Sequence, residues 1–191
     1  MSIKDLKDLD LIIKIKNLQE SETIYSDVIE QYAREIYSRY YHQAYNLSRY
    51  YGLTRHDAED VVQDSFIKLF KNIKIFNIGK EFKPWFFKII LNTVRDKYRE
   101  MKKYRTKDIE IIQDTGTNEQ EEIFEELHIK DYLNSIINNM PEKLKSVLVL
   151  RIYAEMEYEM IASTLGVSIR QLHNRLNAAF DFVKKAVEVK K

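Results

Sequence analysis

No cysteine occurs in the 191 residues. That removes disulfide frameworks, cysteine-ligated zinc sites and thiol nucleophiles together. Glycine is nearly as scarce, at 4 residues. Neither a P-loop nor a GxGxxG turn is present to cradle phosphates. Two prolines and so few glycines leave little to interrupt long helices. The four histidines, His42, His56, His128 and His173, form no close pair, and no HExxH occurs. No metal site and no cofactor is expected, and no nucleophile–base pair supports an enzyme. The first residues, MSIKDLKDLDLIIKIK, are broken by charges and make no secretory signal. Apolar runs reach only a few residues, too short to span a membrane. The expectation is a soluble, cytoplasmic, non-enzymatic protein.

What is present is apolar periodicity and segregated charge. Hydrophobic residues make up 45% and charged residues 32%, a globular composition. The formal net charge is +1, which at first argues against a nucleic-acid partner. The distribution says otherwise. Residues 1–83 are neutral overall, 84–107 carry +6, 108–142 carry −9 and 143–191 carry +4.

Helical spacing runs through most of the chain. One helix is expected at 27–51, with Tyr32, Ile36, Tyr40, Ala44 and Leu47 on its inner face. Its many tyrosines read as a core stripe with hydroxyls at the rim. A second is expected at 55–73. Thr54 and Asp57 resemble a capping box, and Ala58, Val61, Val62, Phe66, Leu69 and Phe70 form the buried face. Asp57, Asp60, Gln63 and Asp64 project from the other side. A third follows a loop at 77–79, with Pro84 in its first turn. Asn92, Asp96, Arg99 and Lys103 share its outer face. The polar, acidic stretch 106–126 reads as a linker. Further helices are expected at 127–139, 142–154, 157–165 and 169–187. The fold class is all-α: two small helical domains, 1–105 and 127–191, joined by the acidic linker. Residues 1–24 read as a short amphipathic helix packed on the first domain.

The run YEMIASTLGVSIRQLHNRLNAAF has the form of a helix-turn-helix. Ala162 is small enough for a close crossing. Gly166 permits a left-handed turn. Ser168 is a good N-cap, and Ile169, Leu172, Leu176, Ala179 and Val183 form an inner stripe. Arg170, Gln171, His173, Asn174 and Arg175 remain outside. Such side chains reach base edges and phosphates in a major groove.

Two stretches, DAEDVVQDSFIKLFKNI and FKPWFFKIILNTVRDKYRE, then complete the pattern. Together they resemble region two of bacterial sigma factors, particularly the extracytoplasmic-function class. The matching positions are Ala58, Glu59, Asp60, Val61, Val62, Gln63 and Phe66, then Trp85, Phe86, Ile89, Asn92, Asp96 and Arg99. The segment from Met140 to Leu176 is similar to region four, through Pro141, Leu148, Leu150, Arg151, Tyr158, Ile161, Ala162, Leu165, Gly166, Val167, Ser168 and Arg175. The likeness covers about 25–104 and 129–187, in the right order.

The resemblance implies a factor that binds core RNA polymerase and directs promoter-specific initiation. Asp57, Asp60, Gln63 and Asp64 would meet the β′ clamp helices. Asn92, Arg95, Asp96, Arg99, Lys102 and Lys103 would meet the −10 element, Asn92 as a reader of a flipped base. Ser168, Arg170, Gln171, His173, Asn174 and Arg175 would read the −35 duplex, with support from the β flap. The acidic linker would thread through a basic polymerase channel, and an anti-sigma factor is an expected partner. Trp85, Phe86 and Phe87 are tempting stacking platforms, but Phe87 and Trp85 are assigned to the core. The sequence departs from the family at Met160, where Glu is usual, and at Ala178, Ala179, Phe180 and Asp181, where further cations are usual. Two other readings stay open on the residues alone. One is a stand-alone helix-turn-helix regulator, and the other is a helical interaction module without DNA binding.

Overall fold

The computed structural model describes residues 2–20, 26–105, 132 and 135–188, with the side chains at 20, 26 and 102–105 outside the description. The expected linker at 106–126 and the start of the helix expected from 127 lie outside the described residues.

Helices account for every long element described, in the order the apolar spacing indicates. A 3-10 turn, Ile3–Asp5, precedes α1, Asp8–Glu20. Then come α2, Ser26–Tyr50, α3, Arg55–Asn72, a second 3-10 turn, Ile73–Ile75, and α4, Phe82–Arg105. A short helical segment at 135–139, here α5, leads into α6, Glu142–Ile152. The chain closes with α7, Tyr158–Leu165, and α8, Ile169–Glu188.

Why α2 packs as it does follows from one stripe. Ile36, Tyr40, Ala44 and Leu47 are all buried and recur at three- and four-residue spacing. The Tyr40 ring meets Phe82, Phe86 and Phe87 edge-on, at centroid separations of 5.6, 5.6 and 6.1 Å. Edge-to-face contacts of this kind add to the burial of each ring. The Tyr40 hydroxyl donates to Asp8. Burial and that carboxylate hold the phenol in its protonated form, well above its ordinary pKa. Arg39 fastens the same corner, donating to Asp8 Oδ1 at 2.7 Å and to the Leu6 carbonyl at 2.8 Å. Residues 2–20 are thereby tied to α2, and α1 buries Leu11, Ile12 and Ile15.

Phe86 and Phe87 are fully buried and Trp85 is half-buried against Phe76 and Phe82. These rings hold α4 to the loop before it. The Thr54 cap differs from a capping box. Its hydroxyl accepts from the Asp57 N–H at 3.1 Å but donates to the Asp57 carboxylate at 2.6 Å.

The two helical groups are not separate in space. α7 packs along α4, and α6 contacts α2. Ile137, Met140, Val147 and Ile161 belong to the same continuous core as Leu47, Phe86 and Ile90. Within the C-terminal group, α6 and α7 both pack on α8. The inner stripe of α8 is Leu172, Leu176 and Ala179. Ile169, expected in that stripe, stands at the first position of α8 and is 39% exposed.

Gly166 closes α7 with φ 65° and ψ 41°. The Val167 N–H donates to the Ala162 carbonyl at 3.0 Å and the Gly166 N–H to Ser163, the Schellman pattern. A Cβ there would meet nothing within 4 Å, so only the backbone dihedral demands glycine. Gly166→Ala should therefore lower stability by about 1–2 kcal/mol, the cost of left-handed backbone for an L-residue. Urea denaturation checks this. An unchanged midpoint would show that the turn does not need glycine.

Candidate nucleic-acid and polymerase interface

The turn aims α8 outward. Ser168 and Gln171 form a reciprocal box: the Gln171 N–H donates to Ser168 Oγ at 3.2 Å, and the Ser168 N–H donates to Gln171 Oε1 at 3.0 Å. The Gln171 carboxamide oxygen is thus engaged within the helix start, a pairing the S-x-x-Q spacing carries in the sequence. Arg170, His173 and Asn174 are exposed and Arg175 is half-buried. The His173 ring rests edge-on against Tyr158, at 5.1 Å, and the Arg151 guanidinium lies over the Tyr158 ring, at 4.9 Å. Phe180 is 55% exposed on α8.

On α4 the outer face carries Asn92, Asp96 and Arg99, all exposed. The cations described on this helix beyond Asn92 are each matched by a carboxylate. Arg99 pairs with Asp96 at 2.9 Å. Lys97 lies 3.0 Å from Asp57 and 3.7 Å from Asp60. Arg95 Nε donates to Glu142 Oε1 at 2.6 Å. The side chains of Lys102 and Lys103 lie outside the described residues.

Asp57 was expected to project with Asp60, Gln63 and Asp64, but it turns toward α4. The Thr54 hydroxyl, and then Lys97, hold its carboxyl below the ordinary carboxylate pKa against the opposing effect of burial. Gln63 and Asp64 are exposed, and the Asp60 side chain is partly so. The reason is local: position 57 sits in the first turn of α3, where the cap and α4 both reach it.

A second polar cluster joins the two helical groups. α6 delivers Glu142 and Lys145, one turn apart, to the end of α2 and the middle of α4. Glu142 Oε1 accepts from the Tyr51 hydroxyl at 3.0 Å as well as from Arg95. Lys145 is 3% exposed. Its ammonium donates to Asn138 Oδ1 at 3.0 Å and lies over the rings of Tyr51 and Tyr98, at 4.8 and 5.2 Å. Burial lowers its pKa to about 8, opposed by nearby Glu142. Asn138 also abuts Gly52, whose φ is 83° and where a Cβ would come within 2.8 Å of the carboxamide.

Among the described residues no cluster of His, Asp or Glu is placed to hold a metal ion. No described helix is long and apolar enough to cross a membrane.

Comparison with known proteins decides the family. Residues 36–104 match the model for sigma-70 region 2, and residues 130–181 match the model for sigma-70 region 4. The ECF RNA polymerase sigma factor SigW of Bacillus subtilis is 23% identical over 190 residues, covering 93% of this chain and 97% of that protein. The chain belongs to the extracytoplasmic-function (ECF) sigma factors. Two solved structures share the fold. CnrH, in complex with the cytosolic domain of CnrY, matches 96% of this chain and 99% of its own with a TM-score of 0.71 at 20% identity. The sigma factor RpoE of Bartonella quintana, in complex with the anti-sigma factor NepR, matches 78% of this chain and 91% of its own with a TM-score of 0.58 at 18% identity.

As an ECF sigma factor, the chain directs promoter-specific initiation by RNA polymerase, and its partners are the core enzyme and promoter DNA. Sigma factors are non-enzymatic initiation factors. The family match places α3 and α4 in region 2 and α7 and α8 in region 4. The residues that join these regions, Tyr51, Glu142 and Lys145, carried no signal in the sequence. A lysine in a first turn of Glu142, Lys143 and Ser146 reads as a surface residue until its burial is seen.

Lys145 gives a pH test. Its native pKa is below the ordinary lysine value, so from about pH 8 upward the unfolded chain holds a proton the native chain has shed. Native stability should gain a rising contribution over pH 8 to 9.5, and Lys145→Met should remove that rise. At pH 7 the variant should be no less stable than the native chain, since an apolar side chain of similar length avoids burying charge. Urea titrations at several pH values read both. A parallel pH dependence in the two proteins would contradict the assignment.

Proposed function

We propose that the chain divides promoter recognition between α4 and α8, while the exposed part of α3 docks on polymerase. Gln63 and Asp64, with Asp60 at the edge, present an acidic and amide surface suited to the basic face of the β′ clamp helices. Asp57 serves this surface indirectly. Through Lys97 it fixes α3 against α4, so the polymerase-facing and DNA-facing helices keep one relative orientation.

The observation that carries the −10 assignment is the outer face of α4. Asn92 stands exposed there, with Asp96 and Arg99 along the same face. A carboxamide offers both donors and acceptors, as reading a base edge requires. Extracting a base costs a few kcal/mol of stacking, so a pocket must return that energy at the base itself. Buried Phe86 and Phe87 supply no stacking surface. The return comes from polar contacts at Asn92, from the half-buried Trp85 and from backbone contacts of Arg95, Arg99, Lys102 and Lys103.

For the −35 element, Arg170, His173 and Asn174 are the exposed reading set, with Arg175 beside them and Ser168 and Gln171 fixing the helix start. Exposed Phe180 and Asp181 leave the second half of α8 with little affinity for phosphate. Contact with the β flap offsets this. The chain itself performs no chemistry, works in the cytoplasm, and is held in check by an anti-sigma factor. The complex of RpoE with NepR supports that last reading.

Run-off transcription with bacterial core polymerase and a promoter library tests the whole. A start site that depends on this protein is the expected result, and none would refute the reading. Asn92→Ala should slow open-complex formation more than it weakens duplex association, and equal losses would remove the base-capture role. Asp64→Lys should weaken core binding roughly tenfold, or about 1.4 kcal/mol. Unchanged binding would return that face to ordinary solvated surface.

A further inference from the structure

The N-terminal helix grips the aromatic cluster at the start of α4 from two sides. The match to region 2 begins at residue 36, so α1, Asp8–Glu20, stands outside it. At the first residue of α1, Asp8 accepts from the Tyr40 hydroxyl and from Arg39. The Tyr40 ring in turn meets Phe82 edge-on, at 5.6 Å. Farther along α1, the Lys16 ammonium donates to the Phe76 carbonyl at 3.2 Å. Phe76 is 2% exposed, and its ring meets Phe82 at 6.0 Å and Trp85 at 4.8 Å. Between these two holds, Leu11, Ile12 and Ile15 are buried.

The Phe76 carbonyl follows the second 3-10 turn and stands at the root of an exposed loop, residues 77–81. The loop shapes its own tip. The Gly79 N–H donates to Asn77 Oδ1 at 2.9 Å, and the Lys80 N–H donates to the Asn77 carbonyl at 3.0 Å. Both bonds are internal to the loop, so neither ties it to another element. The Lys16 bond does, and a charged donor makes it stronger than a neutral one. It holds the root of the loop and, with it, the Phe76 ring. Trp85 packs against that ring and also lines a surface cavity of about 340 Å³, with Lys80, Glu81, Pro84, Lys88 and Ser163. A shift of Phe76 therefore changes how much of the indole faces the cavity.

We propose that Lys16 positions Trp85: its ammonium, by holding the Phe76 carbonyl, fixes the ring against which the indole packs, and makes α1 part of the surface that opens the −10 element. The consequence for strand opening rests on the −10 reading of Trp85 given above. The placement of Trp85 by Lys16 does not.

Trp85 is the one tryptophan of the chain, so its fluorescence reads the placement directly. Lys16→Met keeps an unbranched side chain of similar helix preference and removes the ammonium. On the full chain its indole emission should move to longer wavelength, and quenching by acrylamide should rise. Lys16→Ala should do the same. Ala is the strongest helix former, so the result does not depend on how the Met side chain packs. Lys16→Arg, which can still donate to the carbonyl, should keep the native spectrum. Lys14→Met removes the same charge from an exposed position of α1 that lies over the Tyr32 ring instead, and should also leave the spectrum unchanged. Native emission and quenching in both Lys16→Met and Lys16→Ala overturn the proposal, and so does an equal change in Lys14→Met.

A second measurement reads the consequence. With core polymerase and a promoter that the native factor uses, Lys16→Met should form open complexes at least about threefold more slowly, a fraction of what a base gains by stacking on an aromatic ring. Binding to core and association with promoter duplex should be unchanged. Equal losses in all three would overturn the positioning role, because a merely loosened domain gives that pattern. If the indole spectrum shifts but opening keeps its native rate, the −10 reading of Trp85 fails and its placement by Lys16 stands.

Discussion

A charged ammonium buried between two domains sets the terms for the rest of this molecule. Lys145 lies between Leu144 and Ser146 on α6, 3% exposed, and stays mostly protonated at neutral pH with a pKa of about 8. Water is replaced there by the Asn138 carboxamide, the Tyr51 carbonyl at 3.5 Å, two aromatic faces and the field of Glu142. Burying a cation is unfavourable unless such partners are fixed in place. Each partner comes from a different element: Tyr51 after α2, Tyr98 from α4, Asn138 from α5. The ammonium therefore demands that four elements meet with one geometry. An apolar contact would tolerate sliding, whereas this one does not. Specificity of arrangement, rather than added stability, is what a buried charge of this kind supplies.

The same joint accounts for how a protein of net charge +1 can be a DNA-binding factor. α4 lies in a block of +6, which alone would attract any nucleic acid. In the folded chain Arg95, Lys97 and Arg99 each face a carboxylate, from region 4, from α3 and from α4 itself. These three pairs differ in kind. Arg99–Asp96 is an exposed pair on one helix, weak and easily exchanged. Lys97 is bound to α3 and has a structural task. Arg95 pairs through Nε with Glu142, so this ion pair crosses the joint between the two regions.

How much of this was legible in the sequence depends on which interactions fix each feature. Helix positions follow from spacing such as Ile36, Tyr40, Ala44 and Leu47, where burial of one stripe leaves a single register. The helix-turn-helix was legible for the same reason, with Gly166 and Ser168 marking local backbone geometry that neighbours alone determine. Asp57 was not. Its turn toward Lys97 depends on how α3 and α4 pack, 40 residues apart in sequence. Glu142 and Lys145 were less legible still, since their partners stand at Tyr51, Arg95 and Tyr98 across the linker. Charge counted by blocks showed that opposite signs were segregated. It could not show which pairs meet.

The weak second half of α8 follows from the same economy. Its exposed residues after Asn177 include Ala178, Phe180 and Asp181, so region 4 alone has few phosphate contacts. A helix with few cations along its second half is suited to binding in which both regions engage one DNA. Tethered sites gain from effective concentration only when their spacing allows both to bind together. In the arrangement seen here, α7 of region 4 packs along α4 of region 2. On α4 beyond Asn92 the described cations each face a carboxylate, and on α8 after Asn177 Lys184 faces Glu188. Paired cations on one helix and few cations on the other act in the same direction: neither stretch, among its described residues, offers a phosphate backbone much unpaired positive charge.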